Sequence, residues 1–228
     1  MYRGSSVDFS SIPKGYDTVL DWLLADGPAA LAIRRSLIKP GKPSMTKFMG
    51  NLVNEHIGLS ELIPQFRSAS STLQEALKKY PNAKVTVYGH SLGSMNGQYA
   101  LASLSIDQLK RINGGYLYEG PNIYSILNKD KRAIAGLLRN YNVHNYTDWW
   151  DAVSLGFGVN FKEIVGSVEY VSTKWTGSIG EQHSWGGYIF GKDGKLEIMV
   201  ESLKPMYGFL SRFMKKLVVK VVNPKRLC

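Results

Sequence analysis

Only one cysteine occurs in the chain, Cys228 at its last position, so no disulfide can form within it and a metal site of paired cysteines is excluded. Histidine is scarce too: there are four, none in a His-Glu-x-x-His pattern, and no Walker-type phosphate loop is present. No metal and no organic cofactor is expected. Apolar runs all fall short of the roughly 18 residues that a membrane-spanning helix needs. The opening residues, Met1-Tyr2-Arg3-Gly4-Ser5, lack the apolar stretch of a secretory signal, and the expectation is a cytoplasmic or leaderless-exported protein. Acidic residues are outnumbered, 18 Asp and Glu against 28 Lys and Arg, for a net charge of +10. Nucleic acid, an anionic membrane surface or an acidic substrate could each exploit that charge. No nucleic-acid-binding motif accompanies it, so nucleic acid is not the expected partner.

What is present is globular material: 228 residues, 44% apolar and 20% charged, read as one domain over 1–228. Apolar residues at helical spacing, Leu62, Phe66, Leu73 and Leu77, predict a helix over Leu59–Tyr80 that Pro81-Asn82 stops. Val85–Tyr88 reads as a strand, Leu92–Leu104 as a helix with a small face of Gly93, Gly97 and Ala100, and Gly115–Glu119 as a strand. Lys131–Arg139 reads as a helix, Tyr141–Tyr146 as a strand, and Ile164–Thr173 contains one more. Tyr188–Phe190 and Leu196–Met199 flank the turn Lys192-Asp193-Gly194, a hairpin signal. Alternation of strands and helices points to an α/β fold with a mainly parallel sheet flanked by helices. Residues 1–5 read as the end of a strand. The first strands are therefore expected to be missing, or supplied by an upstream segment or a second copy in a homodimer.

One stretch carries chemistry. Lys84–Tyr88 is β-rich, Gly89-His90-Ser91-Leu92-Gly93 is Gly-x-Ser-x-Gly, and a helical run follows. This is the layout of a nucleophile elbow, in which a sharp strand-to-helix turn presents the serine. The turn brings the chain close to itself on either side of Ser91, where Gly89 and Gly93 have no Cβ to clash. Unpaired N–H groups at the start of the helix, Leu92 first among them, would face an oxyanion formed at Ser91.

A serine hydroxyl needs a histidine to take its proton and a carboxylate to orient that histidine. In the elbow arrangement the chain order is Ser, acid, His. Only His144 and His183 follow Ser91. His144 lies within a strand and reads as a structural histidine. His183 follows the last parallel strand, in the Gly/Ser-rich loop Gly177–His183, and is the expected base. Two carboxylates sit just past the strand Tyr141–Tyr146: Asp148, which could also cap a turn beginning at Trp149, and Asp151. His90 is read as a structural residue beside the turn, and His56 as a residue bordering the pocket or the surface.

Together these residues resemble the class 3, fungal-type lipase family of the α/β-hydrolases. The resemblance rests on Gly89-His90-Ser91-Leu92-Gly93, on Tyr2-Arg3-Gly4-Ser5 followed by Val19–Asp26, and on Asp151-Ala152-Val153, similar to the family's Asp-x-Val. It spans roughly residues 1–190. It implies an α/β-hydrolase fold, a triad of Ser91, Asp151 and His183, and oxyanion donors from Ser5 and Leu92. It also implies a lid over residues 16–48, with Trp22 and Leu23 near its start. The implied activity is hydrolysis of lipid or small carboxylic esters through an acyl-enzyme, without a cofactor. The same triad would serve a thioesterase or acyltransferase, and an inactive, membrane-binding hydrolase fold is the rival from another class. Ser94 stands where the family has a second glycine, and Ser154 where it has proline after Asp-x-Val.

The carboxyl-terminal segment 202–228 carries seven basic residues and no acidic one, interleaved with Met206, Tyr207, Phe209, Leu210, Phe213, Met214 and Leu217. It reads as a basic amphipathic surface, suited to packing on the sheet or to an anionic membrane interface.

Overall fold

The computed structural model describes residues 64–148, 150, 151, 153, 154 and 162–199. Four strands, β1 (Val85–His90), β2 (Ile112–Tyr118), β3 (Val143–Asp148) and β4 (Ser167–Val171), form one sheet in the order β1-β2-β3-β4. Every neighbouring pair is parallel. Helix α1 (Pro64–Lys79) precedes β1, α2 (Leu92–Ala102) and α3 (Ile106–Leu109) lie between β1 and β2, α4 (Lys129–Leu137) lies between β2 and β3, and α5 (Ile179–His183) follows β4. The protein is thus an α/β structure with a parallel sheet, as the alternation of elements indicates.

The core lies between the sheet and helices α1 and α2. In α1 the buried residues are Phe66, Ala69, Ser70, Leu73 and Leu77, spaced so that one stripe faces inward. Phe66 stacks on Tyr99 of α2 with ring centroids 5.1 Å apart. Gly93, Gly97 and Ala100 are buried, so the small face of α2 meets its neighbours closely. From the sheet, Val87, Leu117 and Val143 enter the same core. Alternation along the strands turns Tyr88, Tyr116, Tyr118 and Tyr146 to the other face, where Tyr118 and Tyr146 stack at 4.8 Å and Tyr88 and Tyr116 at 5.3 Å.

Parallel pairing fixes where chemistry can gather. His90 is opposite Tyr118, and Tyr118 opposite Tyr146, so the strands end at one edge of the sheet. Ser91, Glu119 and the segment from Asp148 to Asp151 leave from that edge, the usual place for a binding crevice in a parallel sheet. Past β4 the chain turns back. Phe190 bridges Leu196 antiparallel and Val171 bridges Ile198, around a turn in which Gly194 has φ +75°. The hairpin read from Lys192-Asp193-Gly194 is therefore present as bridges rather than as full strands.

Candidate functional site

Strand β1 delivers the chain to Ser91, whose φ of 55° and ψ of −126° are rare for a residue with a side chain. Holding such a conformation costs roughly 1–3 kcal/mol and persists only where the surroundings enforce it. Here the enforcement is visible. The N–H of Ser91 donates to Tyr118 O at 2.9 Å, continuing the β1–β2 ladder, and Ser91 O accepts from Ser94 N at 2.9 Å, opening helix α2. A Cβ on Gly89 would lie 2.4 Å from Gly93 O, so only glycine fits that close approach. Ser94, the departure from the second glycine, finds its room at Gly120, where an added Cβ would lie 2.5 Å from Ser94 Cβ. Ser91 caps α2 without using its side chain, which leaves Oγ for another partner.

That partner is His183. Its Nε2 lies 2.8 Å from Ser91 Oγ, and its Nδ1 lies 2.9 Å from Asp151 Oδ2. All three residues are buried; His183 is 1% exposed and Ser91 3%. A carboxylate accepts, so Nδ1 carries the proton and donates it to Asp151, and Nε2 is left as an acceptor for the Ser91 hydroxyl. Asp151 Oδ1 accepts from Val153 N at 2.9 Å, and Oδ2 also accepts from Ser154 Oγ at 2.9 Å. Burial disfavours the charged Asp151. His183, by charge and hydrogen bond, together with the Val153 N–H and Glu119, outweighs it and holds the carboxyl below its ordinary range.

Asp148 is engaged elsewhere. Its Oδ1 accepts from Trp150 N at 2.8 Å and from Thr173 Oγ1 at 2.6 Å, and its Oδ2 accepts from Gln182 Nε2. Through the Trp150 N–H, Asp148 holds the backbone two residues on, and Trp149, where the expected capped turn would begin, lies outside the described residues. Gln182, fully buried, also donates to Lys174 O at 3.1 Å and accepts from Thr176 N at 2.9 Å. Asp148 thereby anchors helix α5, and the next residue along, His183, faces Ser91.

The segment Gly177–His183 was expected to be loop. It is instead a helical turn, Ile179–His183, whose N-cap Ser178 accepts from Glu181 N at 3.4 Å. His144 sits in β3 and hydrogen-bonds through Nδ1 with Glu169 (3.2 Å) and Ser167 (2.9 Å) and through Nε2 with Asn142 (2.8 Å). It is a strand histidine apart from the Ser91 cluster, as expected. His90 hydrogen-bonds to His183 O and lies against Trp185, whose ring centroid is 4.7 Å away. Burial, then the charge of His183, pushes the His90 pKa down.

Sequence reasoning missed four residues: Glu119, Ser154, Tyr188 and Gln182. Glu119 leaves β2 with φ +48° and is fully buried, with hydrogen bonds to Ser154, Tyr188 and the N–H of Asp148. A carboxylate at the carboxyl end of a parallel strand was the available signal: Glu119 directly follows β2, and Asp148 ends β3. Ser5, Trp22, Leu23, His56, the candidate lid 16–48 and the basic segment 202–228 lie outside the described residues. Leu92 is the first residue of α2, where the N–H has no acceptor within the helix.

No protein-family model matches the chain, and comparison with curated proteins and with solved structures finds no match. Among the described residues there is no group of three or more His, Cys, Asp or Glu placed to hold a metal ion. None of the described helices is long and apolar enough to cross a membrane. The arrangement can move a proton from a hydroxyl to an imidazole that a buried carboxylate holds, at the amino end of helix α2.

Proposed function

We propose that this chain is a serine hydrolase of the α/β-hydrolase type that cleaves carboxylic esters, with lipid acyl esters as the substrate class. The observation that carries this reading is the chain of hydrogen bonds from Ser91 Oγ to His183 Nε2 and from His183 Nδ1 to Asp151, set on a strained strand-to-helix turn. Resemblance of the Gly89–Gly93 and Asp151–Val153 segments to class 3 lipases supports the choice of esters.

In this mechanism Ser91 Oγ attacks the acyl carbonyl while its proton passes to His183 Nε2. Asp151 stabilises the imidazolium. The negative oxygen of the tetrahedral intermediate is bound by the Leu92 N–H. Collapse breaks the ester C–O bond, and His183 returns the proton to the departing alcohol. Water then attacks the acyl-serine, its proton going to the same Nε2; the bond from Ser91 Oγ to the acyl carbon breaks, Oγ takes that proton back, and the acid leaves.

Active-site titration with a fluorophosphonate tests the reading, with intact mass measured for wild type, Ser91→Ala and His183→Ala. One label per wild-type chain, lost in both variants, supports it. A folded wild type that takes no label, even with detergent, defeats it. A substrate panel then ranks oxygen esters against thioesters and acyl acceptors, and a preference for the latter would move the assignment to thioesterase or acyltransferase.

A further inference from the structure

Behind the Asp151 carboxylate lies a second carboxyl group that the mechanism above does not use. Glu119 is 0% exposed. Its Oε2 is hydrogen-bonded with Ser154 Oγ, and the same Oγ lies 2.9 Å from Asp151 Oδ2. Its Oε1 is hydrogen-bonded with the Tyr188 hydroxyl, and both oxygens lie near the Asp148 N–H, at 3.1 and 3.0 Å.

Counting protons decides the state of this cluster. The Ser154 hydroxyl has one proton and stands between two carboxyl oxygens. If both carboxyls are ionised, one of the two contacts sets lone pair against lone pair, and two buried negative charges lie beside one another. If Glu119 carries a proton on Oε2, it donates to Ser154 Oγ and Ser154 donates to Asp151 Oδ2. Every donor then meets an acceptor. The proton belongs on Glu119 because Asp151 has the partner that can become a cation, His183.

Resting on the hydrolase reading, we propose that Glu119 is a neutral, proton-bearing positioning residue that extends the chain to Glu119–Ser154–Asp151–His183–Ser91. It fixes the Asp151 carboxylate from behind without adding a charge that would compete for the imidazolium. The groups facing Glu119 are Asp148 at the end of β3 and Asp151 after it, Tyr188 from the hairpin, and His183 of α5 beyond Asp151. Burial, and after it the charge of Asp151, pushes the Glu119 pKa well above its ordinary range, in agreement with the proton count. Ser154, which departs from the lipase pattern, is the link that makes the chain continuous.

The test compares urea unfolding of wild type and Glu119→Gln as a function of pH, which requires no activity. A folded carboxyl that keeps a proton the unfolded chain loses above about pH 4.3 makes the native state less stable as pH rises. The wild-type unfolding constant divided by that of Glu119→Gln is therefore expected to rise about tenfold per pH unit from just above that value towards neutrality. A ratio that is flat or falls with pH overturns the proposal. Should the variant not fold, carbon-13 spectra of wild type labelled in glutamate decide instead. One carboxyl still protonated at pH 7 supports the proposal, and all of them titrating near 4.3, about the ordinary glutamate value, overturns it.

Turnover tests the positioning role. Glu119→Ala is expected to lower kcat by up to about 100-fold, the scale of a small displacement in a site. Glu119→Gln, whose amide can donate to Ser154, is expected to rescue most of that loss. A folded Glu119→Gln as slow as Glu119→Ala overturns the role. Failure of the hydrolase reading is separately visible, as a wild type that no fluorophosphonate labels.

Discussion

His90 holds the main chain of His183: its Nε2 lies 2.7 Å from the His183 carbonyl oxygen. A carbonyl oxygen only accepts, so His90 Nε2 carries the proton and donates. The residue before Ser91 thus grips the backbone of the residue whose imidazole meets Ser91. The two rings stand 4.9 Å apart, and Trp185 stacks on His90 at 4.7 Å.

Replacing His90 by Phe keeps a ring to pack on His183 and Trp185 but removes the donor. The expected result is a kcat lower by up to about 100-fold, the scale on which misplacing a catalytic group by an ångström acts. Near-UV circular dichroism should stay native. Wild-type kinetics in a variant that has lost this bond would dismiss the positioning role.

The same histidine shapes acid stability. Its pKa is lowered, first by burial and then by the charge of His183. The unfolded chain binds a proton at His90 as pH falls through about 6.5, whereas the folded chain resists, so stability drops on the acid side. His90→Phe is expected to lack that drop, so the stability difference between wild type and variant should shift against wild type as pH falls below about 6.5. Urea midpoints measured across that window check it, and a difference independent of pH would contradict the buried, neutral state.

Gly120 and Ser94 form a matched pair beneath the elbow. A Cβ at Gly120 would lie 2.5 Å from both Ser94 Cβ and Ser94 Oγ and 2.8 Å from Ser91 O. Gly120→Ala should therefore cost about 1–3 kcal/mol, the usual range for overpacking, and slow Ser91 labelling. Ser94→Gly in the same chain removes the side-chain clash but not the contact with Ser91 O. Partial recovery is expected, read as a non-additive double-mutant cycle. Full additivity would mean that the two positions do not meet.

The elbow and the order of elements were legible because both are local. Gly89, Ser91 and Gly93 answer to the backbone within one turn, and the Phe66–Leu73–Leu77 stripe is a matter of helical spacing. Helix α5 was not legible by period, since five residues are too few to display one. Ser178-x-x-Glu181, a capping signature, was the readable sign. Boundaries shifted where tertiary pairing extends a strand, as in β3, which begins at Val143 and runs on to Asp148. The position of Glu119 at a strand end could be read, but not its convergence with Ser154 and Tyr188. The cluster joins three segments far apart in sequence, and nothing in a single segment says that their polar ends converge.

Asp148 and Asp151 are three residues apart, and the structure divides their work. Asp151 binds His183 Nδ1, whereas Asp148 gathers the Gln182 amide, the Thr173 hydroxyl and the Trp150 N–H. Asp151→Asn should leave the fold intact and lower kcat roughly ten-thousand-fold, because the amide favours the wrong imidazole tautomer. Asp148→Asn replaces an acceptor-only group with one that also donates. Whichever way the new amide turns, its NH2 faces a group that can only donate, either Gln182 Nε2 or the Trp150 N–H, inside a region where Gln182 is fully buried. About 1–3 kcal/mol of stability should be lost, the scale of an unsatisfied buried polar group, with a much smaller fall in kcat. Measuring both variants for urea midpoint and for turnover of a short-chain ester separates the roles. The reverse pattern, with Asp148→Asn inactive and Asp151→Asn active, would exchange the two carboxylates and remove Asp151 from the mechanism.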